Sequence, residues 1–327
     1  MTAKKQEEEY PEAAMAIAKD TYVDDCATGI IELSPEIKAE KLAADIDHVL
    51  GKGGFVTKGF TMSGKPPLPN LSSDGISVNV LGSKWFPKED ILQIAAGPLN
   101  FSKKCRGKKE VTEDSHKIPE KLTKRICSGK AGEPFDVSGL LAPILAGIKL
   151  DIRDLIDAGC GWDDRIPDCF YSVWLKNFDL LVKIGDLQYQ RAVVPLDAVS
   201  MDIELISAGD ASERMTCAGC YIRFRLKNNT YSCQLILGKT KIVPEEITLP
   251  RAELVAVNLN VHILEIVRRS LRNKCIDHLL ISDSEIALFS ITSQTKRQKP
   301  WVRNRVIEAN RFSTPADWLR LVRIRLI

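Results

Sequence analysis

Histidine is scarce. There are four in 327 residues, and none forms a His-x-His pair or stands at zinc spacing from a cysteine pair. That excludes a Cys/His zinc module and gives a Cys-His protease no support. No apolar run reaches the ~18 residues that span a bilayer. The N-terminus, MTAKKQEEEYPEAA, has no apolar core of the signal-peptide kind. The expectation is a cytoplasmic or nuclear protein with no membrane partner. Asp-Ser-Gly and Asp-Thr-Gly are absent, which excludes a retroviral-type aspartic dyad. The nine cysteines are odd in number and scattered. Cys217 and Cys220 form a C-x-x-C without a second pair, so buried reduced thiols are expected rather than a metal site.

Charge is present but unevenly spread. Residues 1–50 carry twelve acids and five lysines, whereas residues 296–325 carry nine Lys and Arg against Glu308 and Asp317. A basic C-terminal segment suits a polyanionic partner, and a solvated basic face is the competing reading. Apolar content of 44% and charged content of 27% are ordinary for a globular chain. The length suggests two or three domains.

Three carboxylates stand out by position. In IELISAGDASERMTCAGCYIRF, residues 203–224, an apolar strand leads to Asp210, then a turn and a second strand. Glu253 follows Pro250 in PRAELVAVNLNVHILEIVRR, which has helical periodicity. In HLLISDSEIAL an apolar run ends at Asp283 and a helix begins. Strand-Asp, helix-Glu and strand-end-Asp, 43 and 30 residues apart, is the chain order of a ribonuclease H-like fold. Such carboxylates hold Mg²⁺, or Mn²⁺, which take hard oxygen ligands and can clamp a phosphodiester.

Elsewhere, Ser34 caps a helix at about 35–50 that ends at Gly51, Gly53 and Gly54. FVTKGF, ISVNVLGSKWF and DILQIAAG read as short strands, Lys103 to Lys130 as a Lys-rich connector, and residues 135–185 as mainly helical. Asp163 and Asp164 read as helix-entry acids. Gly129, Gly132 and Pro134 weaken any helix between LTKR and FDVSG.

Five blocks, in this order, carry a resemblance: YPEAAMAIAKDTYVDDCATG, VLGSKWFPKEDIL, LTKRICSGKAGEPFDVSGLLAPI, GCGWDDRIPDCFYSVW and GDASERMTCAGCYIRF. Together they resemble the Pol polyprotein of BEL/Pao-type retrotransposons, from about Glu9 to about Leu321. Part of that region is also called Pao retrotransposon peptidase. The resemblance implies an α+β, multidomain chain. Residues 1–100 would be the C-terminal part of a reverse-transcriptase palm and 101–200 a mainly helical thumb or connection. Residues 201–327 would be a truncated ribonuclease H-like domain with a mixed sheet. Tyr22, Val23, Asp24 and Asp25 would be the polymerase YxDD turn, with Asp24 and Asp25 binding metal. Asp210, Glu253 and Asp283 would be the ribonuclease H carboxylates. Lys296, Arg297, Lys299, Arg303 and Arg305 would contact phosphates.

The sequence also departs from that pattern. No further palm carboxylate precedes YVDD, so nucleotide transfer is not expected of this chain by itself. No acid is assignable to a fourth ribonuclease H position after TPADWLRLV, so hydrolysis is expected to be impaired. The implied activity is at most residual, metal-dependent cleavage of RNA in an RNA–DNA hybrid. Other Pol fragments are further expected partners. A non-catalytic nucleic-acid-binding or scaffold protein, and a degraded element relic, remain the alternatives.

Overall fold

A computed structural model describes residues 2–23, 25–30, 36–94, 98–102, 104–105, 108–109, 113–200, 202–271, 275–293 and 298–320. The chain divides into two compact units. The first is Met1–Pro98 with Leu180–Leu196, and the second is Leu99–Asp179 with Asp197–Ile327.

The first unit begins with helices α1 (Thr2–Lys5) and α2 (Pro11–Lys19). A hairpin of β1 (Thr21–Tyr22) and β2 (Asp25–Cys26) follows, then α3 (Glu36–Lys52). Ala13 and Ala16 of α2 pack on Ile46 and Val49 of α3, the apolar positions that the helical periodicity places on one face. Strands β3 (Val78–Val80), β4 (Ser83–Phe86), β5 (Ile91–Ile94) and β8 (Gln188–Gln190) form an antiparallel meander. Arg191 clamps Asp90 there with two hydrogen bonds, of 2.6 and 3.0 Å. The α3 helix falls where periodicity sets it, and its Ser34 cap lies outside the described residues. FVTKGF forms no strand. Residues 55–60 run irregularly, and Gly59 has φ 123°, which breaks an extended run.

The second unit holds the short ribbon β6 (Lys104–Cys105) and β7 (Lys108–Lys109), then α4 (Lys124–Ala131) and α5 (Ala142–Asp157). Helix α6 (Asp168–Lys183) runs through the division between the units. Thr123 caps α4 by accepting from Ile126 N at 3.3 Å, and the helix stops before Gly132 after eight residues. Asp163 and Asp164 do not enter a helix. Asp163 takes Arg125 in a two-pronged pair at 2.7 and 2.9 Å, and Asp164 accepts from Gly161 N at 3.0 Å. A guanidinium fork across the loop outcompetes capping here.

The same unit carries a five-stranded sheet in the order β11-β10-β9-β12-β13. These are β9 (Ile203–Ala211), β10 (Met215–Arg225), β11 (Tyr231–Ile242), β12 (Cys275–Ser282) and β13 (Trp318–Arg320). Strands β9, β10 and β11 are antiparallel neighbours, while β12 runs parallel to both β9 and β13. Helix α7 (Leu249–Ser270) packs on β9 and β10, with α8 (Glu285–Thr292) and α9 (Pro300–Ala309) against it. This is the mixed sheet with crossing helices expected of residues 201–327.

Alternation explains the packing. Ile203, Leu205, Ser207 and Gly209 of β9 turn inward, as do Thr216, Ala218, Cys220, Ile222 and Phe224 of β10. Each large buried aliphatic or aromatic side chain contributes about 1.5–3 kcal/mol. Cys217 and Cys220, three places apart, face opposite sides of β10, so they cannot share one ion.

The α4–α5 loop is pinned to this sheet. Asp136 accepts from Leu140 N and Leu141 N, at 3.0 and 2.8 Å. Gly139 adopts φ 68° and lies so close to Gly238 of β11 that a Cβ would strike the Gly238 carbonyl. Gly238 N donates to Ser138 O at 2.8 Å. FDVSGLLAP is thus part of the sheet-bearing unit.

Candidate active site and nucleic-acid face

The parallel register brings two carboxylates level. Leu280 pairs with Ser207 and Ile281 with Ala208. Two residues past that last pair stand Asp210, in β9, and Asp283, just beyond the end of β12. Asp210 is exposed near the end of β9, its Oδ1 accepting from Ala211 N at 2.7 Å. Asp283 follows the last residue of β12 directly.

Glu253, on α7, is tied to the Asp283 end of β12 through Ser284. Helix α7 crosses β9 at Gly209, where an added Cβ would lie 2.9 Å from Ala256 O. Only glycine allows that approach, and Glu253 sits one helical turn before Ala256. Ser284 Oγ donates to Glu253 Oε2 at 2.6 Å, so the residue after Asp283 holds this carboxylate. Ser284 is buried and also caps α8, accepting from Ala287 N at 3.1 Å.

Sequence reasoning missed the residue that fixes this geometry. Asn260 is 0% exposed, two turns after Glu253. Its side-chain amide donates to Ser207 O at 3.2 Å and to Ile281 O at 3.1 Å. One amide thus ties α7 to both strands that end in the acids. Its signal was a polar residue in the apolar run VNLNVHIL, which tertiary contacts alone interpret.

The site's electrostatics reach β10. Cys217 stands opposite Asp210 in the ladder, its Sγ 3.6 Å from the Asp210 carbonyl oxygen. Burial pushes the Cys217 thiol up and the Asp210 charge adds to the rise, against the backbone hydrogen bond.

The donor chemistry of Asp210 and Asp283 fits a hard cation such as Mg²⁺, which is bound through one or two carboxylates plus substrate phosphates. A closed three-ligand cage does not fit. Among the described residues, no three His, Cys, Asp or Glu side chains converge as a metal site. Glu253 is held by Ser284 instead.

The remaining expected residues are dispersed. In the first unit, Tyr22 and Asp25 pair across the β1–β2 hairpin, and Val23 turns it with φ 58°. Asp24 lies outside the described residues, as do Lys296 and Arg297. In the second unit, Lys299 precedes α9 and Arg303 is exposed on it. Arg305 lies over the Trp301 ring at 3.5 Å from its centroid, and Arg251 of α7 lies 5.2 Å from the same centroid. Burial pushes Arg305 down from its ordinary value, with Arg251 adding to the shift and Glu308 opposing it. No helix among the described residues is long and apolar enough to cross a membrane.

Strand order, the crossing helix and acids at neighbouring strand ends define a ribonuclease H-like class. Residues 123–284 match the family described as Pao retrotransposon-like RNaseH-like domain, which bears out the Pao resemblance over that stretch. The match begins at the α4 cap and ends at Ser284, so it takes in the α4–α6 segment with strands β8 to β12 and leaves out α8, α9 and β13. No curated protein matches the chain. Among solved structures, it is similar to the N-terminal RNase H domain of Rv2228c from Mycobacterium tuberculosis, a maltose-binding-protein fusion. Identity is 10%, coverage 36% of this chain and 84% of that one, and the TM-score 0.23. RNase H1 from the archaeon Halobacterium salinarum NRC-1 is 14% identical, over 36% of this chain and 81% of that one, at a TM-score of 0.23. A foamy viral protease-reverse transcriptase in complex with double-stranded DNA is 13% identical over 97% of this chain, at a TM-score of 0.44. The chain spans 49% of that protein's length.

Proposed function

We propose that this retrotransposon RNase H-like domain binds RNA–DNA hybrids and cleaves the RNA strand slowly with Mg²⁺ or Mn²⁺. The observation that carries this is the register that sets Asp283 level with Asp210, with Glu253 held beside them through Ser284. Asp210 and Asp283 supply the carboxylate oxygens, and the hybrid's phosphate completes the ligand set. A bound divalent ion would supply charge neutralisation at the scissile phosphate and a water of lowered pKa. Glu253 is oriented by Ser284 beside Asp283. Lys299 and Arg303, with Lys296 and Arg297, contact phosphates without reading sequence. The β1–β2 hairpin, with Asp24 and Asp25, is a reverse-transcriptase palm remnant in this reading, and other Pol pieces are its natural partners.

A second reading is hybrid binding without turnover. It is favoured by the absence of three converging ligands among the described residues. Fluorescence anisotropy with a labelled RNA–DNA hybrid across a salt series tests the binding that both readings share. Affinity is expected to fall steeply with salt, and Arg303→Ala to flatten the slope by about one. Salt-independent or undetectable binding would reject both.

A further inference from the structure

The parallel strands β9 and β12 repeat one pattern on the face away from α7. In β9 it is Glu204, Ile206, Ala208 and Asp210. In β12 it is Asp277, Leu279 and Ile281, with Asp283 just past the strand end. The register sets Glu204 against Asp277, Ile206 against Leu279 and Ala208 against Ile281. Tyr221 of β10 extends the first apolar row, and Leu319 of β13 extends the second. The alternate residues Leu205 and Leu280, on the α7 side, are 0% exposed. By contrast Ile206, Ala208, Leu279 and Ile281 are only half-buried, while Tyr221 is 40% and Leu319 49% exposed.

Parallel strands are ordinarily covered on both faces, and an apolar patch rimmed by polar groups marks an interaction site. Among the described residues, the helix packed on β9 and β12 is α7, on the opposite face. Helix α5 meets the sheet at β11, where Lys149 Nζ donates to Thr240 Oγ1 at 3.0 Å. The patch is bracketed by acids at both ends, Glu204 and Asp277 at one and Asp210 and Asp283 at the other. Arg223 pairs with Glu204, and Asp277 and Asp210 are exposed. Two copies packed through this face would set acids against acids, so charge disfavours a second copy and favours a basic partner.

We propose that this sheet face docks an amphipathic helix that carries a basic residue at each end of its apolar stripe. Six residues of strand separate the two acidic pairs, about 20 Å at ~3.3 Å per residue. About 13 residues of helix span that distance at ~1.5 Å each. A helix is about 10–12 Å across with its side chains, which covers two strands ~4.8 Å apart and leaves Tyr221 and Leu319 to grip its flanks. Apolar residues at i, i+3, i+4 and i+7 meet the four central side chains, and Lys or Arg at either end meets the acids. The surface adjoins Asp210 and Asp283 but does not depend on hybrid cleavage.

Fluorescence anisotropy on the full chain tests it, with three labelled peptides of about 18 residues as probes. One is a Leu/Lys helix with its leucines on one face, one a Leu/Glu helix of the same pattern, and one a Leu/Lys peptide of scrambled order. The Leu/Lys helix is expected to bind at least about tenfold more tightly than either of the others. Tyr221→Ser combined with Leu319→Ser, both at exposed positions, is expected to weaken it about tenfold. Asp277→Asn is expected to weaken it about threefold, with the circular dichroism of both variants unchanged. Equal affinity for the three peptides, or affinity unmoved by the Tyr221 and Leu319 substitutions, would overturn the proposal. So would concentration-dependent self-association of the parent that those substitutions abolish, since the face would then belong to a second copy.

Discussion

Ser284 donates its hydroxyl to Glu253 at 2.6 Å while capping the helix that starts beside Asp283. One side chain thus fixes a helix terminus and the carboxylate of another helix. Ser284→Ala is expected to cost about 1 kcal/mol in urea unfolding through the cap alone. It should also free Glu253 and change the rate of hybrid cleavage. Glu253→Gln keeps an acceptor for Ser284, so its stability should stay near the parent's while cleavage falls. Equal stability loss in both variants would contradict this division of roles.

Asn260 is the joint between α7 and the parallel strand pair. Asn260→Leu strands the carbonyls of Ser207 and Ile281 and is expected to cost about 2–4 kcal/mol. Amide exchange should rise first in β9 and β12. A loss confined to α7 would show that the amide does not bridge the strands.

Gly139 tests whether the α4–α5 loop belongs with the sheet. Gly139→Ala meets the Gly238 backbone at φ 68° and is expected to cost about 2–4 kcal/mol in the unfolding of the five-stranded sheet, read by amide exchange in β10 and β11. Exchange in those strands unmoved by the substitution would show that the α4–α5 loop unfolds independently.

Asp74 organises a loop in the first unit. It accepts from Ser77 Oγ at 2.7 Å, lies 2.9 Å from Lys84 Nζ, and accepts from the Ile76 and Ser77 amides. The Ser77 hydroxyl, then Lys84, then those amides hold its carboxyl well below the usual carboxylate range. Its contribution to stability is therefore full above the unfolded value of about 3.9 and is lost as pH falls through the lower folded value. NMR titration of the Asp74 carboxyl should show that low midpoint, and a midpoint near 4 would contradict the hydrogen-bond set.

Cys217 reports on Asp210. Burial and the Asp210 charge both raise the thiol, so Asp210→Asn should lower it and speed alkylation by iodoacetamide near pH 8. Mg²⁺ bound at Asp210 should act in the same direction. A rate indifferent to both changes would separate Cys217 from the site.

Much of this was legible in the chain. Asp210, Glu253 and Asp283 declare themselves because each sits where a period changes, from strand to turn, within a helix, and from strand to helix. Register then follows from an apolar pattern that admits one inward face. The FDVSGLLAP contact was not legible, since Gly139 and Gly238 are about a hundred residues apart and only a close backbone approach explains them. Asn260 carries no signal of its role in the sequence, and Arg305 reads there as a phosphate ligand. Asn260 is defined by two strands distant in sequence, and Arg305 by the Trp301 ring one turn earlier in α9 and by Arg251 of α7. FVTKGF misled because its composition suits a strand but it has no neighbour to pair with.

The most direct measurement is cleavage of an end-labelled RNA–DNA hybrid in Mg²⁺ or Mn²⁺, with Asp210→Asn and Asp283→Asn alongside. Slow, metal-dependent cutting of the RNA strand that disappears in both variants is the expected result. Cutting that survives either substitution, or folded protein that binds the hybrid and never cuts it, would contradict an active site at Asp210 and Asp283.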